Sequence, residues 1–202
     1  LLEGGGHTIS GVTLTPSGSS PQYVGLFGGL GATIRDLNIT DLTICASFHD
    51  ANQEYNSFYV GGLAGRSYNS LLEHITVSGT ISAQGEEDGL YLGGIFGSGG
   101  GSYHQQLIAC TNHASLQGES QNRLQLGGIA GACSDSTLED CANTGKIASL
   151  SGGDVGGLIG SSTDGTFTGG VNSGDVSVSS AQNSEIFMGG IVGVNSGSNI
   201  LQ

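Results

Sequence analysis

The sequence predicts an all-β fold, a parallel β-solenoid of about six coils, and three observations predict it. A phrase of apolar residues and glycines returns along the whole chain. A second apolar phrase follows each copy at a similar offset. No stretch sustains helical periodicity. The first phrase is Val60-Gly61-Gly62-Leu63-Ala64-Gly65, then Leu92 to Gly97, Leu126 to Gly131, Val155 to Gly160 and Met188 to Gly193, with a shortened copy at Val24 to Gly28. Its closing glycines stand at 28, 65, 97, 131, 160 and 193, so successive copies are 37, 32, 34, 29 and 33 residues apart. With 39 glycines in 202 residues the chain could pass for low complexity, but 36% hydrophobic content fits a packed core and not disorder.

Each element of the repeat has a physical reading. Short runs rich in Val, Ile and Leu, broken by Gly and Asn, are strands joined by turns. The first phrase places Leu26, Leu63, Ile95, Ile129, Leu158 and Ile191 in one column of inward aliphatic side chains. Its paired glycines permit a flat strand or close backbone packing. In the second phrase, apolar residues three apart recur at Ile34/Leu37, Leu72/Ile75, Leu107/Cys110, Leu138/Cys141 and Phe167/Gly170. Asn112, Asn143 and Asn172 follow two residues later and are expected to stack at a corner, in the left-handed conformation Asn tolerates, with amides paired between coils. The glycines two further on, Gly79, Gly145 and Gly174, would supply positive φ. An apolar residue closes the unit at Ile81, Leu116, Ile147 and Val176.

One repeat of about 33 residues cannot bury its apolar side alone, whereas stacked repeats can. Residues 1–202 therefore read as a single solenoid module. The general preference for right-handed crossovers makes a right-handed coil the expectation. The chain opens at Leu1 and stops at Leu201-Gln202 in mid-pattern, which reads as a piece of a longer protein.

The phrase Val-Gly-Gly-Leu-x-Gly resembles the GLUG repeat of large bacterial surface proteins, including the region outside the catalytic domain of metallopeptidases that cleave immunoglobulin A. The segment Gly5-Gly6-His7-Thr8-Ile9-Ser10-Gly11-Val12-Thr13-Leu14 is similar to the one that often introduces such repeats. Leu138-Glu139-Asp140-Cys141-Ala142-Asn143-Thr144-Gly145-Lys146-Ile147 also fits the pattern. The resemblance runs over roughly residues 4 to 200. It implies a scaffold without known catalytic residues, a secreted or cell-surface setting, and adhesion or display as the role.

Charge narrows the partners. Four Lys or Arg against 17 Asp or Glu leave a net charge of −13, which disfavours nucleic acid and anionic lipid alike. No run is long and apolar enough to predict membrane insertion. Catalytic signatures are sparse as well. His-Glu-x-x-His is absent, and His7, His49, His74, His104 and His113 are scattered. The carboxylate candidates for a glycosidase pair are Glu86-Glu87-Asp88, Glu139-Asp140 and Asp135. Arg35, Arg66, Arg123 and Lys146 share no repeat position from which to hold an acidic sugar. Asp36, His74 and Asp140 share a register that Ala109 and Gly169 interrupt, so no metal column is expected. The expectation is no enzyme, no cofactor and no integral metal, with at most incidental Ca²⁺ on the acidic loops.

The cysteines form two groups. Cys110 and Cys141 should stack in adjacent coils, either as buried free thiols or as a disulfide, since the inter-strand spacing falls within the permitted Cα range. Cys45 and Cys133 read as turn or insertion residues. Asn38-Ile39-Thr40 is a sequon that would make Asn38 a glycosylation site in a eukaryotic secreted protein.

Insertions fall mainly between the third segment of one coil and the first of the next, at 46–57, 84–89, 118–123, 150–153 and 179–186. Insertions at one repeat position emerge on one edge of a solenoid. That edge is the candidate binding site, carrying Phe48, His49, Asp50, Glu54, Tyr55, Glu86, Glu87, Asp88, Glu119 and Glu185, and it suits a basic protein partner or a glycan. The leading function is a non-catalytic structural or adhesive module at the cell surface. A filament subunit stacking end to end is the alternative, and a carbohydrate-active enzyme the third.

Overall fold

A computed structural model describes residues 1–19, 22–49, 57–85, 89–100, 104–179 and 185–201. The chain winds through three parallel sheets in a β-solenoid of about five turns, rungs about 33 residues apart. Sheet 1 stacks Gln22–Val24, Phe58–Gly61, Gly89–Gly93, Arg123–Gly127, Gly153–Gly156 and Ile186–Gly189. Sheet 2 stacks Phe27–Leu30, Ala64–Ser67, Phe96–Gly99, Ala130–Ser134, Ile159–Thr163 and Val192–Ser196. Six rungs with five turns between them account for the six copies of the glycine phrase.

Sheet 3 is the long wall of the coil. Thr33–Phe48 and Leu71–Gly85 cross it as single strands. Later rungs cross it in shorter pieces, such as Gln105–Ile108, Thr111–Asn112 and Ser115–Ser120. The N-terminal pieces Leu2–Glu3, Thr8–Ser10, Thr13–Leu14 and Ser17–Gly18 all lie on Thr33–Phe48. Alternation along Thr33–Phe48 sends Ile39, Ile44, Ala46 and Phe48 inward and Thr43, Cys45 and Ser47 outward. Equivalent residues then superpose: Ile44, Ile81, Leu116, Ile147 and Val176 form one column.

The aliphatic column of the first phrase is present. Leu63, Ile95, Ile129 and Leu158 are buried, and Leu26 and Ile191 pack on the core at its two ends. Full burial of each such side chain stabilises by about 1.5–3 kcal/mol. The backbone repeats with it, the Leu63 N–H donating to Ile95 O, Ile95 to Ile129 O and Ile129 to Leu158 O at 2.8–2.9 Å.

The glycine phrase is a corner joining sheet 1 to sheet 2, and its glycines serve close approach. None has positive φ among the described residues. A Cβ on Gly94, Gly128 or Gly157 would strike a carbonyl of the next rung and the side chain of Asn112, Asn143 or Asn172 respectively. The closing glycines Gly97, Gly131 and Gly160 lie against sheet 1 backbone, at the amides of Val60, Leu92 and Leu126. The two phrases of the repeat are thus one packing unit, in which the second glycine makes room for the asparagine.

That arrangement corrects two expectations. Asn112, Asn143 and Asn172 stack as expected but are not left-handed. Left-handed φ of 51–65° falls instead three residues earlier, at Asp36, His74, Ala109, Asp140 and Gly169, the register the sequence offered as an interrupted metal column. It is a bend column, filled by residues that accept αL and, at Ala109, by one that pays for it. Gly79 has positive φ as expected, at 131°, whereas Gly145 and Gly174 have φ in the ordinary range and are small because a Cβ would meet the carbonyls of Ala114 and Gly145.

Candidate binding edge and grooves

The edge between sheet 3 and sheet 1 is narrower than the sequence suggests, because the sheet 3 strands run on to Phe48, Gly85 and Ser120. Phe48 is a core residue, only 1% exposed, stacked on Phe58 with centroids 4.3 Å apart and rings parallel. Its place on an exposed edge is therefore corrected: strand alternation carries it inward two residues after Ala46. His49 is exposed and its amide donates to Gly18 O. Glu119 is half-buried at a strand end and accepts a 2.9 Å hydrogen bond from Gln84 Nε2. Glu185 is exposed. Asp50, Glu54, Tyr55, Glu86, Glu87 and Asp88 lie outside the described residues.

Two surface features occupy this side of the coil. The first is a groove of about 400 Å³ where Arg123, Asp154, Glu185 and Phe187 meet. Asp154 organises it, lying 3.8 Å from the Arg123 guanidinium and accepting from Gln125 Nε2 at 2.9 Å. The second is a trough on the outer face of sheet 3, made of two hollows of about 260 and 200 Å³ that share Ser82 and Gln117. Residues in register make it, small ones at Cys45, Ser82 and Ala148. Cys45, Ser82, Gln117 and Ala148 succeed one another in one column, between Ser47, Gln84 and Glu119 on one flank and Thr43, Thr80 and Ser115 on the other.

Beside the groove runs a ladder the sequence reading missed. Tyr23, Tyr59 and Tyr91 stack on the outer face of sheet 1, with centroids 5.1 and 4.9 Å apart and planes within 17°. The Arg66 guanidinium sits 5.9 Å from the Tyr59 ring. Burial raises the Tyr59 phenol above its usual pKa. The signal was legible: each tyrosine stands immediately before the first apolar residue of a glycine phrase. The column continues as Gln125, Asp154 and Phe187.

Cys110 and Cys141 stack as expected, both buried and both free thiols. Burial raises the Cys110 thiol well above its usual pKa. Cys45 and Cys133 are strand residues, a correction to their reading as turns. Cys45 is exposed in Thr33–Phe48, while Cys133 is buried in Ala130–Ser134, with its thiol pushed up to about 12 by burial. Asn38 is half-buried in a sheet 3 strand and donates from Nδ2 to Gly6 O at 3.1 Å, so its amide is already engaged.

Ion pairs among the described residues are local and lie at the surface. Arg35 lies 2.8 Å from Glu73 and 3.7 Å from Glu3, and His74 lies 3.0 Å from Asp36. Among the described residues no three His, Cys, Asp or Glu come together as a metal site, and no helix is long and apolar enough to cross a membrane.

The family model of the GLUG motif matches residues 56–82, the stretch from the first complete glycine phrase into the sheet 3 strand that follows it. No curated protein and no solved structure matches the chain. The other copies of the phrase occupy the same register in the remaining rungs. The chain is a parallel β-solenoid that carries a GLUG motif.

Proposed function

We propose that the chain is a non-catalytic module of an extracellular or cell-surface protein, which spaces other domains and presents its flanks for adhesion. The observation that carries this reading is the unbroken core. Aliphatic columns and the asparagine stack run rung to rung, so that bending at one rung would break contacts in its neighbours. Such a body transmits position and force. The resemblance of its repeat to those of large surface proteins supports the setting. Two assays test the reading. Protease shaving of intact cells that produce the chain should remove it, and protection until lysis would overturn the surface setting. Incubation with acidic and neutral polysaccharides, with and without Ca²⁺, should release no product, and depolymerisation would overturn the non-catalytic role.

A filament subunit is the second reading, favoured by apolar residues at both terminal rungs. Tyr23 is 43% exposed at one end of the sheet 1 column, and Phe187 is 44% exposed at the other. Ile186 and Met188, its neighbours in the same strand, are exposed too, as are Val171 and Ile200 in the last strands of sheet 3. Against it stands a net charge of −13, which opposes association of copies at low salt.

A further inference from the structure

We infer that the trough on sheet 3 binds a linear, uncharged polysaccharide laid along the solenoid axis. The trough spans four successive rungs, from Cys45 through Ser82 and Gln117 to Ala148. At about 4.8 Å per rung that is about 14 Å of length, room for a short run of sugar rings. It crosses the strands at right angles, and the strand amides and carbonyls there are already bonded to the rungs above and below. A peptide therefore finds no free strand edge to join along this flank.

The lining decides the ligand class. Hydroxyls of Ser47, Thr80 and Ser115 and amides of Gln84 and Gln117 supply donors and acceptors at successive rungs, matching the hydroxyls of a sugar polymer. The Gln84–Glu119 hydrogen bond fixes one wall. Lys146 is the single cation of the lining in a chain of net charge −13, which favours a neutral polymer over a uronic one. Each rung contributes weakly, and affinity accumulates along the axis.

This inference rests on the adhesive side of the proposed function, and one experiment separates the two. Affinity electrophoresis of the native chain is run through gels holding a neutral β-glucan, xylan or mannan, and through polygalacturonate. Retardation in at least one neutral gel and none in polygalacturonate is the expected result. Ser82→Trp and Ala148→Trp, which fill the trough, should lower retardation at least tenfold. Thr163→Trp, exposed on sheet 2, should leave it unchanged. Circular dichroism establishes that all three variants are folded. Cys45 gives an independent reading: it lines the trough and is exposed, whereas the other three thiols are buried. Its alkylation by iodoacetamide should slow several-fold when the retained polymer is present. Absence of retardation in every neutral gel, retardation only in polygalacturonate, or retardation that survives both tryptophans would overturn the inference. Product release from a retained polymer would leave the trough standing and contradict the non-catalytic role instead.

Discussion

Asn143 makes four side-chain hydrogen bonds. Its Nδ2 donates to Asn172 Oδ1 at 2.8 Å and to Gly145 O at 2.9 Å, while its Oδ1 accepts from Asn112 Nδ2 at 2.7 Å and from the Gly145 N–H at 3.3 Å. The residue is wholly buried. Asn143→Ala would strand these partners, and denaturant unfolding should show a loss of about 2–3 kcal/mol, the cost of buried groups left without partners. The half-buried Asn172 should cost less when replaced by Ala. Cys133 makes a pH prediction. Its thiol is held neutral by burial, with its pKa pushed up to about 12. A free thiol titrates near 8.5, so the contribution is intact below that pH and is lost as pH rises towards about 12. The unfolding free energy of the native chain should therefore fall more steeply between pH 9 and 11, by about 1.4 kcal/mol per pH unit, than that of Cys133→Ala.

At the scale of the element, the glycine phrase behaves as a packed corner. Gly128→Ala drives a Cβ into Gly157 O and Asn143, whereas Gly190→Ala in the same register meets nothing within 4 Å. Thermal unfolding should show Gly128→Ala destabilised by about 3 kcal/mol or more and Gly190→Ala close to the native chain. Equal effects would mean that these glycines act through backbone freedom. The sequence made the strands, their parallel stacking and the Leu63 column legible, because a repeated phrase must repeat its environment. It did not reveal which positions bend the chain. The bend column holds Asp36, His74, Ala109, Asp140 and Gly169, five residues alike only in φ, so no residue type betrays it. Phe48 was misplaced because the first edge insertion blurred where its strand ends. The groove formed by Arg123, Asp154, Glu185 and Phe187 brings together residues from rungs about 30 apart in sequence, a distance that only the register of the coils spans.

For the whole molecule, stability follows from the stacking of rungs. Each interior rung is covered on both faces, so its columns are buried, while terminal residues such as Leu2, Ile9, Met188 and Ile200 remain exposed. Such a stack is quasi-one-dimensional, its stability a sum of rung and interface contributions. The proposed function requires a single rigid module that acts through its flanks, and the association state of the native chain tests that most directly. Light scattering at rising concentration, with negative-stain electron microscopy of the same samples, should give monomers throughout at low and physiological salt. Long uniform fibres lengthening with concentration would contradict the account and move the function from the flanks to the ends of the coil.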